Sequence, residues 1–107
     1  MRPAARLLQA CRITLFTREN CGLCTQAKSV LSDVWDARPF VFKEIDIVKS
    51  DSKPRWRDLY EFDVPVIHIS KSSAPEEHPQ LAPKAVKLMH RFDKDQVMAK
   101  MDAVERL

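Results

Sequence analysis

Two cysteines separated by two residues lie where the spacing of apolar residues along the chain changes. Residues 12–17, before the pair, alternate polar and apolar side chains, which predicts a β-strand. After Cys21, apolar residues recur at helical spacing, at Cys24, Ala27, Leu31 and Val34. This change of period predicts a strand that leads into an amphipathic helix, with Cys21 at the helix start and Cys24 one turn inside it.

That position predicts redox chemistry at the two thiols. The reactive form of cysteine is the thiolate, which the unpaired N–H groups and the dipole of a helix N-terminus stabilise. We therefore expect Cys21 to be the nucleophile and Cys24, on the same helical face, to be the resolving thiol. Arg18 would add positive charge near Cys21 and Glu19 would oppose it; the sequence does not decide which of the two points inward.

Length and composition favour one compact domain. The chain has 107 residues, of which 45% are hydrophobic and 31% charged, so a real core and a well-solvated surface are both possible. We assign residues 1–11 to an N-terminal tail and residues 12–107 to the domain. The net charge of +3 comes from interspersed signs, which gives little support for nucleic-acid binding, and we expect a monomer.

The chain carries few signs of export or membrane insertion. No apolar run approaches the roughly 20 residues that span a bilayer, and three cysteines do not make a secreted disulfide framework. We therefore expect a cytoplasmic protein that does not bind membranes. Mitochondrial import is the alternative, because Arg2, Arg6, Arg12 and Arg18 precede the first acid, Glu19.

Further elements follow along the chain. Strands are predicted at residues 40–45, 64–69 and 85–91, and a short helix is predicted to begin at Lys53-Pro54 behind a Ser52 cap. A last helix is predicted behind an Asp93 cap with Gln96 in the capping-box position, burying Val97, Met101 and Val104. Trp56, Leu59 and Tyr60 give the short helix an apolar edge. The helical spacing of Trp35, Trp56 and Tyr60 favours core positions over the alternative of recognition aromatics, with Tyr60 bordering the dithiol.

Together with the dithiol, the Val64-Pro65-Val66 start of the third strand makes the chain resemble a glutaredoxin-like member of the thioredoxin superfamily. The resemblance implies an α/β fold whose four-stranded mixed sheet has the order 2-1-3-4 and three flanking helices. Strands 1 and 2 would be parallel and strands 3 and 4 antiparallel. It also implies a cis Pro65 packed beside the dithiol, which would leave the backbone of Val64 free to pair with an extended substrate.

The chain departs from that family at two places. Gly22 and Leu23 stand between the cysteines, where the related enzymes usually carry a proline. Residues 90–93 replace a glycine pair that helps many glutaredoxins to bind glutathione. Arg91 or Arg18 could supply the missing anion contact, and the alternative is that both are solvated surface arginines. The candidate substrate-binding residues are Arg18, Gly22, Leu23, Val64, Pro65, Arg91 and Asp93.

Three other features were considered as sites. Residues 71–84 form a loop insertion, expected at the sheet end opposite the dithiol, where it would be tolerated or contact a partner rather than act in catalysis. Cys11 is predicted to be a buried, unreactive thiol. The histidines lack a regular metal-ligand spacing, so we predict no metal site.

Three functions remain open at this point. The first is a thiol-disulfide oxidoreductase that reduces disulfide-containing proteins or glutathione mixed disulfides, with no permanently bound cofactor and glutathione as a possible co-substrate. The second is a thioredoxin-fold binding module with little turnover. The third is an iron–sulfur carrier, in which Cys21 and glutathione from two subunits would hold a cluster.

Overall fold

The computed structural model describes residues 10–49 and 55–107. In chain order, the elements are β1 (Cys11–Thr17), α1 (Gly22–Ala37), β2 (Val41–Asp46), α2 (Trp56–Tyr60), β3 (Val66–Lys71), a 3-10 helix (Pro79–Lys84), β4 (Val86–Met89) and α3 (Lys94–Glu105). Every predicted element is present, with ends that differ by a few residues. Strand β1 begins at Cys11, one residue before its predicted start. The predicted Ser52 cap, Lys53-Pro54, Arg2 and Arg6 lie outside the described residues.

The strands form one mixed sheet in the order β2-β1-β3-β4, as the resemblance implied. Strand β1 pairs in parallel with β2 and antiparallel with β3, and β3 pairs antiparallel with β4. All seven residues of β1 are buried. The alternating pattern of β1 is typical of a strand with one solvated face, whereas here both faces of the central strand are covered, so Arg12 and Thr14 are buried as well.

Each face of the sheet has its own hydrophobic core. On one face, Ile13 and Leu15 of β1 pack in one cluster with buried residues of α1 and α3, including Leu31 and Met101. The predicted buried stripes of both helices are confirmed. The other face carries Phe16, Ile47, Trp56, Tyr60, Val66 and Ala82. The second cluster includes Trp56 and Tyr60 of α2, which confirms their predicted core positions.

Helix α3 begins with the predicted capping box. The Asp93 carboxylate accepts the Gln96 N–H at 2.8 Å, and the Gln96 side chain accepts the Asp93 N–H at 2.9 Å. Cys11 is buried, as predicted, and burial raises the pKa of its thiol.

One predicted core position is wrong, because Trp35 is 45% exposed. Leu59, on the predicted apolar edge of α2, is 41% exposed. Trp35 lies at the margin of the buried stripe of α1, above the edge strand β2, and its Nε1–H donates to the Phe40 carbonyl at 3.2 Å. Because β2 is the edge strand, no further strand of the described ranges lies beneath the outer margin of α1, and an apolar side chain there stays partly exposed.

The insertion at residues 71–84 does more than the sequence predicted. It leaves the sheet after β3 and returns across the face that carries Trp56 and Tyr60, where Pro79 and Ala82 are buried. The segment is therefore more than a tolerated insertion, because Ala82 completes the second core, whereas contact with a partner stays a prediction.

A buried polar network holds this segment in place. His68 of β3 is 2% exposed, and its Nε2 lies 2.6 Å from the Tyr60 hydroxyl while its Nδ1 lies 2.6 Å from Glu77 Oε1. A carboxylate can only accept, so His68 donates Nδ1–H to Glu77, and its Nε2 forms the second hydrogen bond with the Tyr60 hydroxyl. Arg12 donates to the carbonyls of Ala74 and Pro75 at 3.1 and 2.8 Å and lies 3.8 Å from Glu77. We call Tyr60, His68, Glu77 and Arg12 the His68 network.

Candidate active site

Cys21 and Cys24 form a disulfide at the start of α1. Their Cα atoms are 5.2 Å apart, a normal separation for a bridged pair. Cys21 is the N-cap: its backbone is extended, and its Sγ accepts the Cys24 N–H at 3.1 Å. Asn20 makes the turn from the strand into this cap with a left-handed φ of 58°, a conformation that asparagine tolerates better than most residues.

The two sulfurs have different surroundings. Cys21 is partly exposed, whereas Cys24 is 4% exposed and belongs to the buried stripe of α1. An incoming thiol or disulfide can therefore reach Cys21 more readily than Cys24. In the dithiol form, the Cys24 N–H and the helix dipole would stabilise negative charge on Cys21. The two cysteines therefore differ in both access and electrostatic environment.

A cavity of about 410 Å³ lies beside the disulfide, between the start of α1 and β2. We call it the dithiol cavity. Its charged lining consists of Arg18, Glu19, Lys28, Glu44 and Asp46. Lys28 of α1 pairs with Glu44 of β2 at 2.9 Å, and the Thr17 hydroxyl also donates to Glu44 at 3.1 Å. The carboxylate of Glu44 is thus held by two partners next to the redox pair.

The two charged residues that precede Cys21 have different partners in the structure. Arg18 lines the dithiol cavity, and its guanidinium donates to the Glu61 carbonyl at 3.3 Å. Glu19 pairs with Lys49 at 2.5 Å, a hydrogen bond that raises the pKa of the Lys49 ammonium. Because Lys49 neutralises Glu19, the negative charge of Glu19 opposes the Cys21 thiolate less than its position in the sequence suggests.

Pro65 is preceded by a cis peptide bond, as predicted. Since Phe16 pairs with Val66, the Val64–Pro65 segment lies at the sheet end where β1 leads into the dithiol turn. Val64 lies outside β3, and within the described ranges neither its N–H nor its C=O forms a backbone hydrogen bond. Both groups are therefore available to pair with an extended chain.

The turn before α3 lies at the same end of the sheet. The His90 N–H donates to the Pro65 carbonyl at 2.8 Å, which ties this turn to the cis-proline segment. His90 has a left-handed φ of 65°, so the backbone keeps a conformation that favours glycine although no glycine is present.

Three further predicted residues can be placed individually. Arg91 and Leu23 line one cavity of about 200 Å³ between α1 and the turn that precedes α3. Asp93 uses its carboxylate to cap α3, so that group is already engaged. Gly22 borders the dithiol cavity, and a Cβ at this position would meet open space.

The sequence analysis missed the part of the site that β2 contributes. Parallel pairing of β1 with β2 brings Glu44 and Asp46 to the dithiol cavity. The one available signal was the i, i+4 spacing of Cys24 and Lys28, which places a lysine next to the thiol on the helix. Tyr60, predicted to border the site, is 3% exposed and directs its hydroxyl to His68.

Metal and membrane features were also sought in the described ranges. Residues 10–49 and 55–107 contain no group of three or more His, Cys, Asp or Glu placed to hold a metal ion. In the same two ranges, no helix is both long and apolar enough to cross a membrane.

Comparisons with known proteins agree with this geometry. The model of the family described as "Glutaredoxin-like domain (DUF836)" matches residues 12–102. A curated relative from Dictyostelium discoideum, "Glutaredoxin-like protein YDR286C homolog", is 28% identical over 98 residues, which cover 88% of this chain and 78% of that protein.

Solved structures show the same fold. The structural genomics target protein XcR50 from X. campestris is 26% identical with a TM-score of 0.57, covering 85% of this chain and 96% of that one. Chloroplastic thioredoxin z is 20% identical with a TM-score of 0.64, covering 97% and 84%. The chain therefore has a thioredoxin-like fold and belongs to the glutaredoxin-like domain family.

Proposed function

We propose that this protein is a thiol-disulfide oxidoreductase that uses Cys21 as the nucleophile and Cys24 as the resolving thiol. One observation carries the proposal: the sulfur of the partly exposed Cys21 accepts the Cys24 N–H at the start of α1, while Cys24 itself is buried. A structural disulfide would not require one sulfur to be both accessible and hydrogen-bonded to a helix N-terminus.

The proposed reaction has two exchange steps. The Cys21 thiolate attacks a sulfur of the substrate disulfide, and the other substrate sulfur leaves as a thiolate that takes up a proton. Cys24 then loses its proton and attacks the Cys21 sulfur, which releases the second substrate thiolate. The substrate gains two electrons and two protons, and the protein ends with the Cys21–Cys24 disulfide. Two glutathione molecules, oxidised to their disulfide, would restore the dithiol.

The sheet end around Val64 supports peptide disulfides, including those of glutathione, as the substrate class. An extended peptide, including the backbone of glutathione, can pair with the available N–H and C=O of Val64. Arg91 is exposed near Leu23 and offers a cation for a carboxylate of glutathione. We therefore propose glutathione as co-substrate and mixed disulfides as substrates.

Substitution of each cysteine tests the proposal. Cys21→Ser is expected to abolish reduction of both a protein disulfide and a glutathione mixed disulfide, because the attacking thiolate is lost. Cys24→Ser is expected to spare at most the reactions that pass through a glutathione mixed disulfide. Cys11→Ser is the control and should retain wild-type turnover, since Cys11 is 2% exposed and lies at the far end of β1. Wild-type turnover in Cys21→Ser would refute the proposal.

The role of glutathione is tested at Arg91. Arg91→Gln is expected to raise the KM for glutathione several-fold without changing kcat, because it removes a binding cation and leaves the thiols intact. Arg106→Gln is the matched control, since Arg106 is also exposed but lies at the opposite end of α3. Equal KM values for glutathione in the two variants would show that Arg91 does not contribute to glutathione binding.

A further inference from the structure

An exposed apolar groove lies next to the dithiol cavity on the same side of α1. Its volume is about 370 Å³, and we call it the aromatic groove. It is lined by Lys28, Leu31, Ser32, Trp35, Phe40 and Phe42. Trp35 and Phe42 are each 45% exposed, which is unusual for two large aromatic side chains that share one depression.

The aromatic groove adjoins the dithiol cavity at Lys28. Lys28 lines both, and its ion pair with Glu44 spans from α1 to β2 where the two cavities meet. A chain bound at Cys21 can pass over this exposed ion pair and continue along the helix into the aromatic groove. Strand β2 is an edge of the sheet, so no further strand blocks that path among the described elements.

We propose that the aromatic groove is a specificity site for the protein substrate, and that it binds a large apolar side chain located several residues from the disulfide being reduced. This inference rests on the proposed oxidoreductase function. A polypeptide fits better than a small disulfide, since glutathione is too short to reach the groove from Cys21.

The helix geometry sets the spacing. Leu31 and Trp35 lie 10 and 14 residues after Cys21, which at a rise of about 1.5 Å per residue places the groove roughly 15–20 Å along α1. An extended peptide advances about 3.3 Å per residue, so the apolar residue should lie about five or six positions from the substrate cysteine. Trp35 and Phe42 would then contact that side chain from α1 and β2 respectively.

A series of peptide mixed disulfides tests the proposal. Each polar peptide carries one cysteine, joined to glutathione, and one phenylalanine placed two to eight positions away on either side. We expect kcat/KM to peak at five or six positions, about tenfold above the all-polar peptide. Phe42→Thr should remove that peak, because it deletes the aromatic ring while keeping a residue that favours strands.

Matched controls separate the groove from general effects. Leu81→Ala removes a 50% exposed apolar side chain on the 3-10 helix and should leave the peak unchanged. Turnover of the all-polar peptide should be the same in Phe42→Thr and wild type. The proposal would be overturned if kcat/KM of the wild type did not depend on the position of phenylalanine, or if Phe42→Thr showed the same peak as the wild type.

A binding measurement distinguishes failure of the groove from failure of the proposed function. In Cys21→Ser/Cys24→Ser, Trp35 fluorescence should respond to a peptide whose cysteine is replaced by serine when phenylalanine is at the optimal position, and much less to the all-polar peptide. If the wild type shows no turnover but the double variant still prefers the phenylalanine peptide, the redox function is refuted while the groove is supported as a peptide-binding site. A wild-type dimer that Phe42→Thr converts to a monomer would assign the groove to a second copy and overturn the proposal.

Discussion

Removing the Glu77 carboxylate should destabilise the fold far more than removing the neighbouring Glu76 carboxylate. The Glu77 side chain is 15% exposed, accepts Nδ1–H of the buried His68 and lies beside Arg12. The Glu76 side chain is 80% exposed and pairs at 3.6 Å with Lys43, whose side chain is 49% exposed. Substituting Glu77 or Glu76 removes one acid from the same insertion. The difference in the free energy of unfolding between the two variants therefore measures what the buried network contributes.

The magnitude follows from the groups left behind. In Glu77→Ala, the His68 Nδ1–H loses its partner in a site that is 2% exposed, and a buried unsatisfied donor costs about 1–3 kcal/mol. Arg12 keeps its bonds to the Ala74 and Pro75 carbonyls, so the loss of its ion pair adds less. We expect the free energy of unfolding to fall by about 2–3 kcal/mol. An exposed ion pair such as that of Glu76 contributes little, so Glu76→Ala should lie close to wild type.

Urea denaturation is the assay. With a slope of about 1–2 kcal/mol per molar urea, the Glu77→Ala midpoint should fall by about 1–3 M at an unchanged slope. Glu77→Gln should lie between wild type and Glu77→Ala, because the amide oxygen can still accept Nδ1–H while the charge facing Arg12 is gone. Equal midpoints for Glu77→Ala and Glu76→Ala would refute the claim that the insertion is fixed through His68.

Three further predictions concern single side chains. Burial, followed by the nearby Glu77 and Asp63 charges, raises the pKa of Tyr60 to about 12, so ultraviolet absorbance of this single tyrosine should show ionisation well above pH 10 in the native state. Since the unfolded phenol ionises near pH 10, stability should be unaffected below pH 10 and fall as the pH rises to about 12, as pH-dependent denaturation would show. Cys11 should resist alkylation in the native oxidised protein and take up one equivalent of reagent only after unfolding, as mass spectrometry would detect. Asp93→Ala should lower the free energy of unfolding by about 1 kcal/mol in urea, because it removes the capping box of α3.

The fold and the two thiols could be predicted from the sequence because their signals are local. The change from a period of two to a helical period around Cys21 fixes a strand, a tight turn and a helix within 26 residues, from Arg12 to Ala37. The strand order came from the resemblance to a known family, not from periodicity. The cis bond before Pro65 also came from that resemblance, because a proline at a strand start is usually trans.

The missed parts depend on contacts between distant positions in the sequence. Glu44 reaches the dithiol cavity through the register of β1 and β2, and the predicted start of the second strand was off by one residue. Glu77 meets Arg12 across 65 positions of sequence, which no local pattern encodes. One signal was present: His68 alternates with buried apolar residues on a central strand, and a polar side chain in such a place needs a buried partner.

Trp35 shows a different limit of prediction from sequence, which concerns whether an apolar helix residue is covered by the sheet. Leu31, Val34 and Trp35 all fit helical spacing, so periodicity alone assigns all three to the core. Whether the last of them is covered depends on how far the sheet extends beneath the helix, and β2 is its edge. This partial exposure of Trp35 is what makes the proposed aromatic groove possible.

The central claim is that the helix start makes Cys21 a reactive thiolate, and the pH dependence of Cys21 alkylation in the reduced protein tests it most directly. The rate is measured beside turnover of a glutathione mixed disulfide, with Cys24→Ser as a second sample that leaves Cys21 as the accessible thiol. The structure predicts half-maximal alkylation well below the value of about 8.5 for free cysteine, with glutathione-dependent turnover. Alkylation that follows an ordinary cysteine, without turnover, would contradict the claim and favour a thioredoxin-fold binding module.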